Sequence, residues 1–242
     1  MKYAVFTDID ETLFFDGKIN PKNIIAINEA RANGHLVFIN TGRSTGIIQD
    51  ELMHGLFDGI VASIGSEIYV GNETLLKLVI PTDELIRFTE EYISEKRVFV
   101  MEASADSKIK AVRNTDNNPI ELLQDKESFF TKPYIEGKPT EEQIKYISER
   151  YQLFVHPAYF EFTTKGCTKA TGMELVLKHY NIPKERCIAI GDSINDMDML
   201  RAAGNPVCVS NAVPLLKSIS VYETCHAQDG ALYDCFKHFG LI

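Results

Sequence analysis

The hydrophobic positions along the chain form short, uninterrupted runs rather than an alternating pattern. Continuous apolar runs of this length are typical of strands in a parallel sheet that is covered on both faces. Helical patterns lie between the runs, so both ends of the chain predict an α/β core. The predicted strands are Tyr3–Phe6, Leu36–Ile39, Ile60–Ile64, Cys187–Ile190 and Val207–Val209.

Two helices next to these strands have clear local signals. Asn20 followed by Pro21 predicts an N-cap with proline at the first helical position, and Gly34 predicts the end of that helix. A second helix shows apolar residues at helical spacing, which predicts one buried face. These residues are Met173, Val176, Leu177 and Tyr180.

The middle of the chain follows a different pattern. Helical and strand-like segments are mixed there, and Thr140 with Gln143 forms a predicted capping box. The pattern indicates an inserted α+β domain over residues 82–160, within a discontinuous core of residues 1–81 and 161–242. The predicted helices are Asp83–Lys96 and Thr140–Arg150, and the predicted strands are Val98–Met101, Phe129–Ile135, Leu153–Val155 and Tyr159–Thr163.

Composition and charge exclude several classes of function. The chain has 242 residues, a 45% hydrophobic fraction and a net charge of −9, so we expect no nucleic-acid partner, since such proteins need a basic face. The longest apolar stretches fall short of the roughly 20 residues that span a bilayer, and we expect no membrane partner. Five scattered cysteines and an early acidic N-terminus predict reduced thiols and a cytoplasmic location.

Polar residues follow three of the predicted strands at the points where the strands end. The segments are TDIDET (7–12), NTGR (40–43) and GDSIND (191–196). Ligands of open parallel sheets bind just beyond the carboxyl ends of the strands. Carboxylates gathered at one edge would repel one another without a cation, and oxygen ligands of this kind suit Mg²⁺.

Each of these segments alone also has an ordinary structural explanation. DID can form an N-cap and a turn, and GDSIND can be a helix N-terminus with acidic residues that the helix dipole favours. Lys169 alone is typical of a solvated helix lysine. The order, the strand context and the spacing of all segments together favour a functional site.

Taken together, the segments resemble the four motifs of the haloacid dehalogenase (HAD) superfamily of phosphotransferases. DIDET (8–12) is similar to the first motif, TGR (41–43) to the second, Lys169 to the third and GDSIND (191–196) to the fourth. More than one hundred residues separate Arg43 from Lys169, which matches the C2-type (IIB) cap of the Cof-like subfamily. The resemblance implies a Rossmann-like, doubly wound, mostly parallel core sheet with an inserted α+β cap domain.

The resemblance also implies roles for the catalytic residues. Asp8 would attack phosphorus and form an aspartyl phosphate, and Asp10 would act as general acid and then general base. The Thr41 hydroxyl would bind a phosphoryl oxygen. Lys169 would neutralise charge on the phosphoryl group and on Asp8.

Further residues would bind phosphate and metal by the same resemblance. Phosphate would meet the backbone N–H groups of Ile9 and Gly42, with Arg43 and Asn195 as additional contacts. Mg²⁺ is the implied cofactor, and Asp10 would contribute its backbone carbonyl. The implied metal residues are Asp8, Asp10, Asp192 and Asp196.

Two positions depart from the family pattern. Glu11 stands where most relatives carry glycine, so we expect a slightly different backbone geometry there. The segment SIGS (63–66) stands where Cof-like relatives often carry Asn-Gly-Ala. Neither departure removes a catalytic group.

The expected function is a Mg²⁺-dependent phosphatase of small phosphorylated metabolites, with sugar phosphates as the expected class. A phosphomutase of the phosphomannomutase type is an alternative, because it would use the same aspartyl phosphate. A phosphate-binding module without turnover is a second alternative. We expect a phosphorylated small molecule as the partner, and a monomer or a weak homodimer.

Overall fold

A computed structural model describes residues 1–49, 52 and 55–242. Fifteen strands lie in this part of the chain. They are β1 Ala4–Thr7, β2 Phe14–Phe15, β3 Lys18–Ile19, β4 Leu36–Asn40, β5 Gly59–Ala62, β6 Glu67–Val70, β7 Glu73–Lys77, β8 Phe99–Ala103, β9 Ala111–Arg113, β10 Phe130–Glu136, β11 Tyr151–Val155, β12 Tyr159–Thr164, β13 Cys187–Gly191, β14 Asn205–Cys208 and β15 Tyr222–Glu223.

Eight α-helices lie in the same described ranges. They are α1 Pro21–Ala32, α2 Thr82–Ser94, α3 Pro119–Leu123, α4 Glu141–Arg150, α5 Lys169–His179, α6 Met197–Ala202, α7 Pro214–Lys217 and α8 Ala231–His238. Asn20 caps α1 with its side chain, as predicted. Thr140 and Gln143 form the predicted capping box of α4.

Contacts divide the chain into two compact units. The first consists of residues 1–42, 49–75 and 168–242, and the second of residues 43–48 and 76–167. The predicted assignment of residues 82–160 to a cap stays a prediction. No helix in the described part of the chain is long and apolar enough to cross a membrane.

The first unit is built on an eight-stranded sheet in the order β15-β14-β13-β1-β4-β5-β6-β7. All pairs from β15 to β5 are parallel, and β6 pairs antiparallel with β5. The central strands β1, β4 and β13 are buried along their whole length, which explains their continuous apolar sequence. The predicted α/β fold with a mostly parallel sheet is confirmed.

The sheet register aligns the carboxyl ends of three strands. Thr7 lies opposite Ile39 of β4 and opposite Ile190 of β13. The chain therefore leaves all three strands at the same level of the sheet, where segments 8–12, 40–43 and 191–196 begin. This alignment brings together sequence segments that are far apart along the chain.

Strand β5 ends earlier than the sequence predicted. The prediction extended to Ile64, whereas the strand ends at Ala62. Ser63, Ile64 and Gly65 then adopt φ values of 48°, 53° and 91°. The apolar character of Ile64 therefore indicated a strand wrongly. Its backbone lies in the left-handed region instead, where a β-branched residue is strained.

The second unit contains a five-stranded sheet in the order β11-β12-β10-β8-β9, and every pair in it is antiparallel. Alternate side chains of the strands enter a hydrophobic core. Helix α2 adds Leu85, Phe88 and Tyr92 to this core, and β12 adds Phe160 and Phe162. Helices beside an antiparallel sheet confirm the predicted α+β architecture of the insert.

Candidate active site

The loop after β1 begins the candidate site. Asp8 lies directly after the strand, is 4% exposed and donates its backbone N–H to the carbonyl of Ile190 across 3.0 Å. The loop then turns back, since the N–H groups of Leu13 and Phe14 both donate to the carbonyl of Ile9. This turn holds the Asp8 carboxylate at the end of the central strand.

Lys169 connects the segments at the centre of the site. It is the first residue of α5 and its side chain is fully buried. Its Nζ atom lies 2.9 Å from Asp8 Oδ1 and 2.7 Å from Asp196 Oδ1. It also lies 3.5 Å from Asn195 Oδ1. The structure therefore brings together residues that the sequence assigned to three different motifs.

Asp196 is held from several directions at once. Its Oδ1 accepts from Lys169, while its Oδ2 accepts from the backbone N–H groups of Asp192 and Ser193 at 3.1 and 3.2 Å. Gly191 allows this approach, because a Cβ atom there would lie 2.5 Å from Asp196 Cγ. Position 191 of the GDSIND segment therefore requires glycine for steric reasons, which the sequence alone did not reveal.

Asp192 completes a group of three carboxylates. Its Oδ1 accepts a hydrogen bond from Thr12 Oγ1 at 2.8 Å. One carboxylate oxygen from each of Asp8, Asp192 and Asp196 lies within 4.8 Å of the others. These hard oxygen donors fit Mg²⁺, and three carboxylates beside one lysine leave a negative excess that a divalent cation would cancel.

The pKa values of these groups reflect burial and crowding. Burial raises the pKa of Asp8 well above its ordinary value, against the attraction of Lys169. Burial and the neighbouring carboxylate of Asp196 raise the pKa of Asp192 to about 6. Burial alone would lower the pKa of Lys169, but Asp196 and Asp8 raise it above its usual range. The two carboxylates therefore favour the charged form of the lysine in this site.

Glu11 occupies the turn with an unusual backbone. Its φ is 57°, which lies in the region that glycine adopts without strain. The carbonyl of Glu11 accepts a hydrogen bond from Asn211 Nδ2 at 2.8 Å, and Asn211 Oδ1 accepts from the N–H of Ala227. The side chain of Asn211 thus holds the loop in place at Glu11, where the sequence departs from the family pattern.

The remaining predicted residues lie at the ends of the same strands or beside them. Ile9 and Thr41 are buried, and the Thr41 N–H donates to the carbonyl of Val61 at 2.8 Å. Gly42 and Arg43 are half-buried, and Arg43 begins the short part of the chain that belongs to the second unit. The Asp10 side chain is exposed and is not one of the three grouped carboxylates.

Four contacts of the site were missed by sequence reasoning. Thr12 and Asn211 are described above, and Asn40 and Asp198 each bind the backbone at the start of α5. Thr12 and Asn40 lie within or next to quoted motifs, so their position was a usable signal. Asp198 carried no comparable signal, because its partner, the backbone N–H of Ala170, lies in another segment of the fold.

The second unit contains an ionic cluster of its own. Lys132 Nζ on β10 lies 2.5 Å from Glu161 Oε2 on β12 and 3.5 Å from Glu102 Oε2 on β8. His156 Nε2 lies 3.0 Å from Glu161 Oε1. Burial alone would raise the pKa of Glu161, but Lys132 and His156 lower it to about 2. Glu161 is therefore ionised at neutral pH.

Sequence comparison relates the chain to known families. Residues 5–236 match the model of the haloacid dehalogenase-like hydrolases. A candidate phosphatase of Streptococcus pyogenes serotype M6 is 30% identical, with 94% of each chain covered. YkrA of Bacillus subtilis, also a candidate phosphatase, is 23% identical, with 98% of each chain covered.

Solved structures show the same fold. The sugar phosphatase BT4131, of HAD subclass IIB, matches with a TM-score of 0.80 and 26% identity, and the match covers 99% of this chain and 100% of that one. BT1666 from Bacteroides thetaiotaomicron, a phosphatase of the same superfamily, matches with a TM-score of 0.82 and 22% identity, covering 100% and 96% of the two chains.

Proposed function

Because the chain belongs to the haloacid dehalogenase-like hydrolases, as a phosphatase of the Cof-like branch, we propose that it hydrolyses small phosphorylated metabolites with a bound Mg²⁺ ion. One observation carries this proposal. The buried ammonium of Lys169 is shared by Asp8 and Asp196 within 3 Å, and Asp192 lies beside them. A nucleophilic carboxylate next to a fixed cation suits phosphoryl transfer, which depends mostly on positioning and charge neutralisation.

In the first step, Asp8 attacks the substrate. A carboxylate oxygen of Asp8 forms a bond to phosphorus while the bond between phosphorus and the ester oxygen breaks. Asp10 gives its proton to the departing alkoxide. The products of this step are a free alcohol and an aspartyl phosphate on Asp8, whose charge the Lys169 ammonium offsets.

In the second step, water releases the phosphate. Asp10, now a carboxylate, takes a proton from a water molecule whose oxygen attacks the phosphorus of the aspartyl phosphate. The bond between phosphorus and the Asp8 oxygen breaks, and inorganic phosphate leaves. Thr41 and the backbone N–H groups of Ile9 and Gly42 hold the phosphoryl oxygens in both steps.

The carboxylates would hold the cation in this mechanism. Asp8 and Asp192 would be its side-chain ligands, and Asp10 would add its backbone carbonyl. When bound, the cation supplies further charge neutralisation for the phosphoryl oxygens. Both oxygens of Asp196 already accept hydrogen bonds, so we assign Asp196 chiefly to orienting Lys169 and the backbone of Asp192.

The substrate class is proposed from the relatives. BT4131 is a sugar phosphatase, which supports sugar phosphates for this chain as well. We propose that residues 82–160 act as the cap and select the alcohol part of the substrate. A cytoplasmic location and a monomeric or weakly dimeric state stay proposals.

Phosphate release from a panel of sugar phosphates, nucleotides, pyridoxal phosphate and an aryl phosphate tests this function. We expect release that requires Mg²⁺, stops with chelator and is absent in the Asp8→Asn variant. Well-folded protein that releases no phosphate from any compound would contradict the proposal. Transfer of the phosphoryl group to a second sugar hydroxyl instead of water would indicate a mutase.

A further inference from the structure

The peptide group between Lys169 and Ala170 is held by two side chains from other elements. Asn40, the last residue of β4, donates from Nδ2 to the carbonyl of Lys169 at 2.9 Å. Asp198 of α6 accepts at Oδ2 from the N–H of Ala170 at 3.4 Å. The carbonyl and the N–H of one trans peptide point in opposite directions, so the two contacts hold this group from both sides.

This peptide group adjoins the Cα atom of Lys169. The N–H groups in the first turn of a helix have no partner within the helix, and Asp198 supplies one for Ala170. The capping box of Thr168 and Thr171 also fixes the N-terminus of α5. The origin of the Lys169 side chain is therefore constrained by the sheet, by α6 and by its own cap.

The contact of Asn40 with Lys169 leaves another polar atom of Asn40 buried and unpaired. Asn40 is fully buried, and its Oδ1 has no hydrogen-bond partner among the residues that the structure describes. A buried unpaired amide oxygen is unfavourable, and an apolar side chain of similar shape would avoid it. The Lys169 carbonyl would still keep the hydrogen bond that the helix itself provides. Its Nδ2 also meets Met199 Sδ at 3.1 Å, but a thioether is a weak acceptor, so stability alone gives a weak reason for an amide at this position.

We propose that Asn40 and Asp198 are positioning residues that hold the Lys169–Ala170 peptide group and thereby fix the Lys169 ammonium between Asp8 and Asp196. The catalytic part of this inference rests on the proposed phosphatase function, whereas the placement of the ammonium does not. A displacement of about 1 Å in a group that must meet the reacting atoms can cost ~100-fold in rate.

The chain offers a matched control for Asn40. Asn23 of α1 is also fully buried, and its Oδ1 accepts from the N–H groups of Leu232 and Tyr233 at 3.1 and 3.3 Å. Its Nδ2 likewise lacks a partner in the described ranges. Asn23→Leu therefore removes a buried amide of the same kind without touching α5.

The test compares Asn40→Leu with Asn23→Leu by two measurements. In protein labelled with ¹⁵N-lysine, the Nζ resonance of Lys169 is identified by its loss in Lys169→Arg. We expect Asn40→Leu to shift or broaden this resonance and Asn23→Leu to leave it unchanged. An unchanged Nζ resonance in Asn40→Leu would overturn the inference, whether or not the protein proves to be a phosphatase.

Steady-state kinetics form the second measurement. On a substrate found active, we expect Asn40→Leu to lower kcat by about 10- to 100-fold, with KM changed less than about twofold because substrate binding is not the step affected. Asn23→Leu should keep the wild-type kcat. Equal kcat values in the two variants would contradict the positioning role.

Smaller substitutions keep the inference testable if the leucine variants do not fold. Asn40→Ala and Asn23→Ala form the same comparison.

On the other side of the peptide, Asp198→Ala removes the acceptor, whereas Asp198→Asn keeps a carbonyl oxygen. We expect the Nζ resonance to move in Asp198→Ala and to stay nearer its wild-type position in Asp198→Asn. Equal effects of both Asp198 variants would contradict the positioning role of this hydrogen bond.

Discussion

Lys169 and Asp196 form an ion pair of 2.7 Å in which neither side chain is exposed. The ammonium also contacts Asp8 at 2.9 Å, so a single cation serves two buried carboxylates. Removing one partner of such a group leaves a buried charge without compensation. This lowers the unfolding free energy more than the loss of a surface ion pair does. This relationship makes Lys169 important for stability as well as for catalysis.

We expect Lys169→Met to lose nearly all activity and about 3–5 kcal/mol of unfolding free energy. Urea unfolding and phosphate release measure the two effects. Lys178→Met is the control, since Lys178 lies on the same helix with an exposed side chain. If Lys169→Met were as stable as the control at neutral pH, the two carboxylates would not depend on this cation.

Asp192→Asn should stabilise the metal-free protein. Burial and Asp196 raise the pKa of Asp192 to about 6, so its ionised form is disfavoured in the fold. This penalty is fully present above the folded pKa and disappears as the pH falls toward the unfolded value. At pH 8 without metal we therefore expect a gain of about 1–3 kcal/mol on substitution.

The same variant should lose the response to Mg²⁺. In the wild type, Mg²⁺ at about 100 times its dissociation constant should stabilise the protein by about 2.7 kcal/mol. Thermal unfolding with Mg²⁺ and with chelator measures both effects, with Asp83→Asn as the exposed control. An equal Mg²⁺ response in wild type and Asp192→Asn would remove Asp192 from the metal site.

Gly191→Ala should displace the Asp196 carboxylate, because the added Cβ would lie 2.5 Å from Asp196 Cγ. We expect at least about a tenfold loss of kcat together with a loss of stability. Gly204→Ala is the matched control, since its Cβ would lie 2.2 Å from the Lys184 carbonyl oxygen instead. Both variants should be destabilised, but only Gly191→Ala should lose activity per folded molecule.

Glu161→Gln should weaken the second unit in a pH-dependent way. Lys132 and His156 lower the folded pKa of Glu161 to about 2 from 4.5. Its stabilising contribution is therefore complete above about pH 4.5 and is lost as the pH falls through about 2.

We expect Glu161→Gln to cost about 3 kcal/mol at pH 7 and less at pH 3. Hydrogen exchange of the β12 amides, measured at both pH values, reports on this unit directly. Glu149→Gln, an exposed carboxylate of α4, is the control. A cost that is the same at both pH values would mean that Glu161 is not held ionised by its neighbours.

Glu11 tests the strain in the catalytic loop. With φ at 57°, Glu11→Gly should be more stable than Glu11→Ala by about 0.5–1 kcal/mol, because only glycine adopts this conformation without steric cost. Urea unfolding of the two variants isolates the backbone effect from the loss of the carboxylate. Equal stabilities would show that the loop of the alanine variant relaxes out of this left-handed conformation.

Local signals in the sequence predicted much of the fold correctly. The caps at Asn20 and Thr140 and the strand before Asp8 depend on neighbouring residues. Both caps were found where they were predicted, and the strand was found one residue later than predicted. The motifs predicted the family for the same reason, since each is a short segment of fixed residue types. The assigned roles of Asp8, Asp10 and Thr41 stay predictions, and the Asp8→Asn variant tests the first of them.

Sequence by itself determined which residues are apolar, which segments cap helices and which carboxylates, amides and lysine the chain carries. Tertiary structure decided which of them meet. Lys169 reaches both Asp8 and Asp196, and Asn40 meets the backbone of Lys169, because parallel strands end at one level. Distances between residues far apart in sequence depend on sheet order and helix placement, and a local pattern contains no information on either.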